Sequence, residues 1–249
     1  MSKKDNGEFE ILFQDEHVVA VNKPAGLTVV PLREGKGPCL KEMLAAQLGR
    51  EVFAVHRLDR ETSGVVVFAL DADSHRELSL QFQNRKVSKI YWAVVRGKPN
   101  PPQGVVRLPL ARDKNPIRVV VVRKGGKRSR TNYRVLEKFR GYSLVEARPL
   151  TGRMHQVRVH LAAIGTPLAV DSLYGGSAAL LLSQIKPDYK LKKDVEERPL
   201  ISRLTLHARE LTFTHPVSQA RLTVPASLPR DFALLLKQLA KHAPAGPAG

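Results

Sequence analysis

Short β-branched runs recur along the chain at Glu10 to Phe13, Val18 to Asn22, Gly64 to Leu70, Lys89 to Arg96, Val119 to Arg123, Ser129 to Glu137, Ser143 to Pro149 and Thr205 to Thr214. Each predicts a strand. In the fourth run, alternation puts Lys89, Tyr91 and Ala93 on one side and Ile90, Trp92 and Val94 on the other. Gly125-Gly126, between two runs, predicts a tight hairpin, because glycine tolerates the positive φ such turns require. Helical spacing is rarer. Leu40, Met43, Leu44 and Leu48 share a face before Gly49, and Asp73 is placed to cap a helix running to about Asn84. Val157, Leu161 and Ile164 share a face in a stretch opened by Thr151 or Gly152 and stopped by Gly165. Phe232 to Leu239 repeats apolar residues at helical intervals. Strands outnumber helices and do not alternate regularly with them. The fold class is therefore α+β, a mixed and mostly antiparallel β-sheet with flanking helices, and not a doubly wound sheet.

Both ends break the pattern. Residues 1–7 are polar and are expected to form a flexible N-terminus, and Ala243 to Gly249 reads as a flexible tail, leaving 8–242 as one folded domain. The longest apolar runs, Gly64 to Leu70 and Ala178 to Leu182, fall far short of the ~20 residues that span a bilayer. Met1 to Gly7 carries basic residues with no apolar core behind them, unlike a secretory signal. Cys39 is the only cysteine, which excludes an internal disulfide and a cysteine zinc cluster and fits a reducing, cytoplasmic compartment.

Charge narrows the partners. Forty-one Lys and Arg against 23 Asp and Glu leave +18, a field suited to a polyanion such as nucleic acid. Between Arg107 and Arg140 twelve Lys and Arg face only Asp113 and Glu137, so this stretch holds +10 of the +18. Such density on a hairpin, with Lys124, Lys127, Arg128 and Arg130 at its heart, suits tracking a phosphate backbone. A non-catalytic RNA-binding or ribosome-assembly protein would carry the same charge.

Two segments concentrate chemistry. In Val55 to Gly64 seven polar residues crowd into a turn before an apolar strand, the place where sites are commonly built. A solvated turn whose Asp59 and Thr62 hydrogen-bond local backbone has the same composition. In Thr151 to Leu161, Arg153, His155, Gln156, Arg158 and His160 cannot all face solvent if the helix packs on the sheet, and a buried arginine implies a carboxylate or phosphate. His207 and His215, eight apart along a strand and with no cysteine to complete a site, read as structural or RNA-facing residues, so no metal is expected.

Taken in order, these segments resemble the RluA-type family of RNA pseudouridine synthases. The resemblance runs through Asn22 to Leu27, His56 to Gly64, Lys89 to Tyr91, Gly126-Lys127 with Thr131, Thr151 to Leu161, Pro167 through Asp171 to Tyr174-Gly175, and Leu206 to Pro216. The His-Arg-Leu-Asp segment followed by Thr-Gly-Arg-x-His-Gln-x-Arg-x-His-Leu is its most specific pair. The resemblance implies a catalytic domain with a central RNA-binding cleft, and an isomerase that turns uridine in ribosomal or transfer RNA into pseudouridine by base flipping. It implies Asp59 as the catalytic aspartate, Tyr91 stacked on the target uracil and placed to help remove its C5 proton, and Arg158 paired with Asp59 to hold it ionised. Arg57 would enter the RNA stack as the target nucleotide leaves it. His56, Arg60, Lys89, Arg153, His155 and Gln156 are expected RNA contacts beside the basic hairpin. No cofactor is implied, since neither electrons nor phosphoryl groups are exchanged, and the protein is expected to act as a monomer. Met154 stands where the family usually has threonine, and Ala169-Val170-Asp171 where it more often has Val-Gly-Asp. Many relatives carry an additional N-terminal RNA-binding domain of the S4 kind; here strand-like sequence starts at about Phe9, leaving the hairpin and cleft to bind RNA unaided.

Overall fold

The computed structural model describes residues 9–31, 37–190 and 195–245. In chain order its elements are β1 (Glu10–Gln14), β2 (Val18–Lys23), α1 (Leu40–Leu48), β3 (Phe53–Ala54), β4 (Ser63–Ala69), α2 (Ala72–Gln83), β5 (Ser88–Arg96), β6 (Gln103–Val106), β7 (Leu110–Arg112), β8 (Val119–Val121), β9 (Thr131–Phe139), β10 (Tyr142–Pro149), α3 (Gln156–Ala163), β11 (Leu206–Thr214), β12 (Arg221–Pro225) and α4 (Arg230–His242). The expected α+β class, with strands dominant and mostly antiparallel, is what forms. The described residues gather in two compact units, bounded by Met1–Ile90 with His207–Ser227, and by Tyr91–Leu206 with Leu228–Gly249. The chain passes from the first to the second within β5.

In the first unit the strands run β1-β2-β4-β11, with β3 on β4 and β12 on β11. β4 is buried at every position, as its unbroken Ser-Gly-Val-Val-Val-Phe-Ala predicts for a strand covered on both faces. It lies antiparallel to β2 from Val18↔Ala69 to Lys23↔Gly64, and parallel to β11 at His207↔Ser63 and Ala208↔Gly64. Gly64 permits that last pairing: its φ is +119°, and a Cβ there would lie 2.2 Å from the Ala208 carbonyl oxygen. α1 stops at Gly49 in the left-handed conformation, as the sequence predicts. α2 is capped by Asp71, whose carboxylate accepts the Ser74 N–H at 2.7 Å, and not by Asp73, which sits in the first turn.

In the second unit the strands run β5-β10-β9-β6, all antiparallel, and β7 and β8 form a separate ladder. Both faces of the larger ladder are covered. Ala93, Val95, Val145 and Ala147 pack with Val157 and Leu161 of α3, while Val94 and Leu144 pack with Phe232, Leu235 and Leu239 of α4. The expected hairpin at Gly125-Gly126 needs correction. The turn exists, with φ of +75° at Gly125, but its flanking strands do not pair with each other. β8 pairs back onto β7, and the turn carries the chain round the end of β7 so that Lys127 exchanges two backbone bonds with Leu110, at 2.8 and 3.0 Å. β9 pairs instead with β10 and β6. The C-terminal boundary also shifts. Ala243 is buried, its carbonyl accepts the Arg140 N–H at 2.8 Å, and Pro244 bridges Phe139, so the expected tail begins later than Ala243. Residues 1–7 and 246–249 lie outside the described residues. Among those described, no helix is long and apolar enough to cross a membrane.

Candidate active site

Asp59 is half-buried in the turn that leads into β4, which is closed by the Thr62 N–H donating to the Asp59 carbonyl at 3.1 Å. Thr62 is buried and its hydroxyl has no hydrogen-bond partner among the described residues, so local backbone bonding does not account for it. Lys23 pins this turn from below. It is 0% exposed, and its ammonium donates to the carbonyls of Pro24 (2.8 Å), Leu27 (2.7 Å) and Arg60 (2.9 Å). A charged group is tolerated there because carbonyl dipoles replace the lost water. Gly26 adds a second tie: its N–H reaches the Arg60 carbonyl at 2.9 Å, and Arg60 Nε returns to the Gly26 carbonyl at 3.0 Å. Behind the turn, buried Ser63 and His207 Nδ1 are 3.0 Å apart, and His207 Nε2 meets the Ala226 carbonyl at 3.3 Å. A carbonyl only accepts, so Nε2 carries a proton, and in the neutral ring the Ser63 hydroxyl donates to Nδ1.

His56 and Gln156, both expected RNA contacts, have partners within the protein. His56 Nε2 accepts the Val67 N–H at 3.0 Å, and its ring stacks on Phe82 with centroids 4.5 Å apart. Burial first, and the nearby Lys89 charge second, push its imidazole down to about 3, so it is neutral and braces the turn against β4. Gln156 is buried with its amide saturated. Its oxygen accepts from the Thr151 hydroxyl (2.7 Å) and the Arg153 N–H (3.1 Å), and its nitrogen donates to the Arg130 carbonyl (3.0 Å) and the Thr131 hydroxyl (2.9 Å). Two donors and two acceptors are the whole capacity of that group. Of the remaining expected contacts in the first unit, Arg57 and Arg60 are exposed, and Lys89 is half-buried with its ammonium pKa lowered by burial.

In the second unit, Tyr91 is half-buried and packs on the apolar cluster beneath α3, opposite Ala147 of β10. α3 begins at Gln156, later than the sequence reading, because Thr151 to His155 form the Gln156-centred turn, with His155 in the left-handed region at φ 52°. Arg158 has the anion its burial demands: Nε and Nη2 donate to the two oxygens of Asp171 at 2.7 and 2.9 Å. Its guanidinium also lies 5.0 Å from the centre of the Tyr174 ring. The Tyr174 hydroxyl accepts the Val119 N–H at 2.9 Å and meets His155 Nδ1 at 2.9 Å, tying β8 to the start of α3. His160 is buried against Ser129, Thr131 and the Leu108 carbonyl, and burial lowers its pKa. Lys124, Lys127, Arg128 and Arg130 are all exposed; Arg153 is half-buried. Asp171, Tyr174 and Lys23 received no role from the sequence, although a buried arginine required an acid such as Asp171. His215 is structural, with Nε2 2.8 Å from Asp15 and Nδ1 accepting the Ser218 N–H at 3.0 Å. No group of three or more potential metal ligands gathers among the described residues.

A family model described as RNA pseudouridylate synthase matches residues 17–163, a span that includes Asp59, Tyr91 and Arg158. The chain is 36% identical over 241 residues to "Ribosomal large subunit pseudouridine synthase D" of Zymomonas mobilis, covering 92% of this chain and 72% of that one. It is 38% identical over 227 residues to "Dual-specificity RNA pseudouridine synthase RluA" of Escherichia coli, covering 89% and 93%. Among solved structures it is similar to "Human RNA Pseudouridylate Synthase Domain Containing 4", with a TM-score of 0.69, 30% identity and 92% of each chain covered.

Proposed function

Because the chain belongs to the RluA-type RNA pseudouridine synthases, we propose that Asp59 is the residue on which its reaction turns. The protein is an isomerase that converts uridine in RNA to pseudouridine. The N1 to C1′ bond breaks, the base turns over, C5 joins C1′, and the C5 proton leaves. Asp59 acts at the sugar, on C1′ as a nucleophile or on the C2′ proton as a base, and in either role it must be ionised. Arg158 supplies the cation that favours that form, with Asp171 fixing its fork and Tyr174 its plane. Tyr91 stacks on the uracil and is placed to help remove the C5 proton. Extruding a stacked base costs about a few kcal/mol, and Arg57, exposed beside Asp59, fills the gap it leaves.

The observation that carries this reading is the pinned turn: a half-buried Asp59 held by Lys23 and Gly26 through Arg60, inside the span the family model matches. The basic segment around Lys124, Lys127, Arg128 and Arg130 follows the RNA backbone, with Lys89, Arg60, Arg153 and His155 as further contacts. The substrate is ribosomal RNA, as for the large-subunit synthase of Zymomonas mobilis, or transfer RNA. The protein acts as a monomer in the cytoplasm, which sedimentation and fractionation check. Mapping pseudouridine in total RNA from cells with and without the gene tests the substrate: one or more ribosomal uridines should lose modification, and identical maps would refute it.

A further inference from the structure

The ladder face that carries Trp92, opposite the face covered by α3, holds a charged cluster that includes none of the residues assigned to the reaction. Glu146 of β10 stands opposite Arg134 of β9 and is 6% exposed. Its carboxylate takes two guanidinium groups. Arg134 binds it bidentately, Nε to Oε1 at 2.9 Å and Nη2 to Oε2 at 3.0 Å, and Arg148 Nε reaches the same Oε1 at 2.7 Å. The two arginines lower the Glu146 pKa against the raising effect of its burial, so the carboxylate stays charged. One buried anion therefore organises two cations, and the cluster keeps one positive charge over.

Stability does not explain such an arrangement well. The Arg134 and Arg148 side chains are 55% and 47% exposed, and the long exposed arms of such pairs contribute little to stability. What the cluster does provide is order. Arg148 keeps both terminal nitrogens, and Arg134 keeps Nη1, without a hydrogen-bond partner among the described residues. Glu146 has already fixed the two long side chains beside each other, so their free N–H groups form a donor array whose rotamer entropy need not be lost on binding. Paired guanidinium edges of this kind fit the oxygens of a phosphodiester.

We propose that Arg134 and Arg148, held by Glu146, form a second RNA-binding site that takes a phosphodiester of the substrate outside the target loop. It rests on the assignment of RNA as substrate and is independent of which residue performs the chemistry. RNA is favoured because the reaction already brings a long polyanion to the molecule, and because a single leftover positive charge suits one backbone phosphate.

Two variants test it. R148Q leaves the bidentate Arg134–Glu146 pair intact; the triple variant R134Q/E146Q/R148Q removes the whole cluster without stranding a buried carboxylate. Binding is measured against salt for a long folded RNA and for a minimal stem-loop bearing the same uridine. Loss of one phosphate contact should reduce the slope of log K against log salt by about 0.7 to 0.9 on the long RNA. The stem-loop should bind both variants as it binds wild type, and kcat at saturating RNA should stay unchanged. An unaltered slope on the long RNA would overturn the proposal, as would an equal loss on both RNAs. A fall in kcat with binding intact would assign the cluster to the catalytic fold instead. If wild type releases no tritium from C5-labelled uridine RNA, the substrate assignment fails while the salt slopes remain readable.

Discussion

Replacing Asp171 by alanine takes the bidentate acceptor away from the Arg158 guanidinium. The two side chains are only 8% and 1% exposed, and the pair is closed by two charge-assisted bonds of 2.7 and 2.9 Å. Removing one member of a buried pair costs about 3–5 kcal/mol when the other charge is left with no partner at all, several times the worth of a surface pair. The Tyr174 ring under the guanidinium stays in place, which puts the expected loss at the lower end, about 3 kcal/mol. In a chain of 249 residues each kcal/mol moves the melting temperature by about 2–4 °C, so a fall of roughly 6–12 °C is expected. D171N should lose less, because its amide oxygen still accepts from Arg158 and from the Leu173 N–H, which Asp171 now holds at 3.2 Å. Denaturant titration gives the stability, and a double-variant cycle with R158A isolates the coupling: the double variant should be more stable than the sum of the singles by at least 1 kcal/mol or so. A loss below about 1 kcal/mol in D171A, with no coupling to Arg158, would refute the view that Asp171 is what lets the arginine stay buried.

Two further outcomes follow from the site. The His56 imidazole is pushed down to about 3 in the fold against an ordinary value of 6.5, so the unfolded chain binds the extra proton first. Its contribution is therefore complete above about pH 6.5 and is lost as pH falls toward 3, at up to about 1.4 kcal/mol per pH unit. Melting followed between pH 7 and 5, above the titration of the carboxylates, should show this slope in wild type and a flatter one in H56Q; parallel slopes would show that His56 is not buried neutral. Replacing Lys124, Lys127 and Arg128 together by glutamine should weaken RNA binding and flatten its salt dependence, and an unchanged slope would move the main backbone track elsewhere.

Legibility in the sequence varied with the length of each signal. β2, β4 and β5 are long apolar or alternating runs, and each forms where the pattern predicts. β3, β6 and β7 have two to four residues, too few for a period to declare itself, and β12 shows only the short alternation Arg-Leu-Thr-Val. Around α2, Asp71 and Asp73 flank Ala72 with equal capping chemistry, and only the fold decides that Asp71 meets Ser74. The glycines at 125 and 126 announced a turn correctly but not which strand it would return to, a choice made by tertiary pairing. In the site, the crowding of polar residues marked Asp59 and Arg158, and the burial of an arginine on α3 demanded an anion. Between residues 141 and 190 only Glu146, Asp171 and Asp188 could supply one locally, so Asp171 was within reach of the argument. Lys23, His56 and Gln156 were not, because a polar side chain spent on backbone groups looks identical in sequence to one aimed at a ligand.

The central claim is that the Asp59 carboxylate, held by its pinned turn, carries the isomerisation. Tritium release from RNA labelled at uridine C5, measured for wild type and D59N alongside RNA binding and melting temperature, tests it most directly. Wild type should release tritium, D59N should release none above background, and the two should match in affinity and stability. Normal turnover in D59N would contradict the claim.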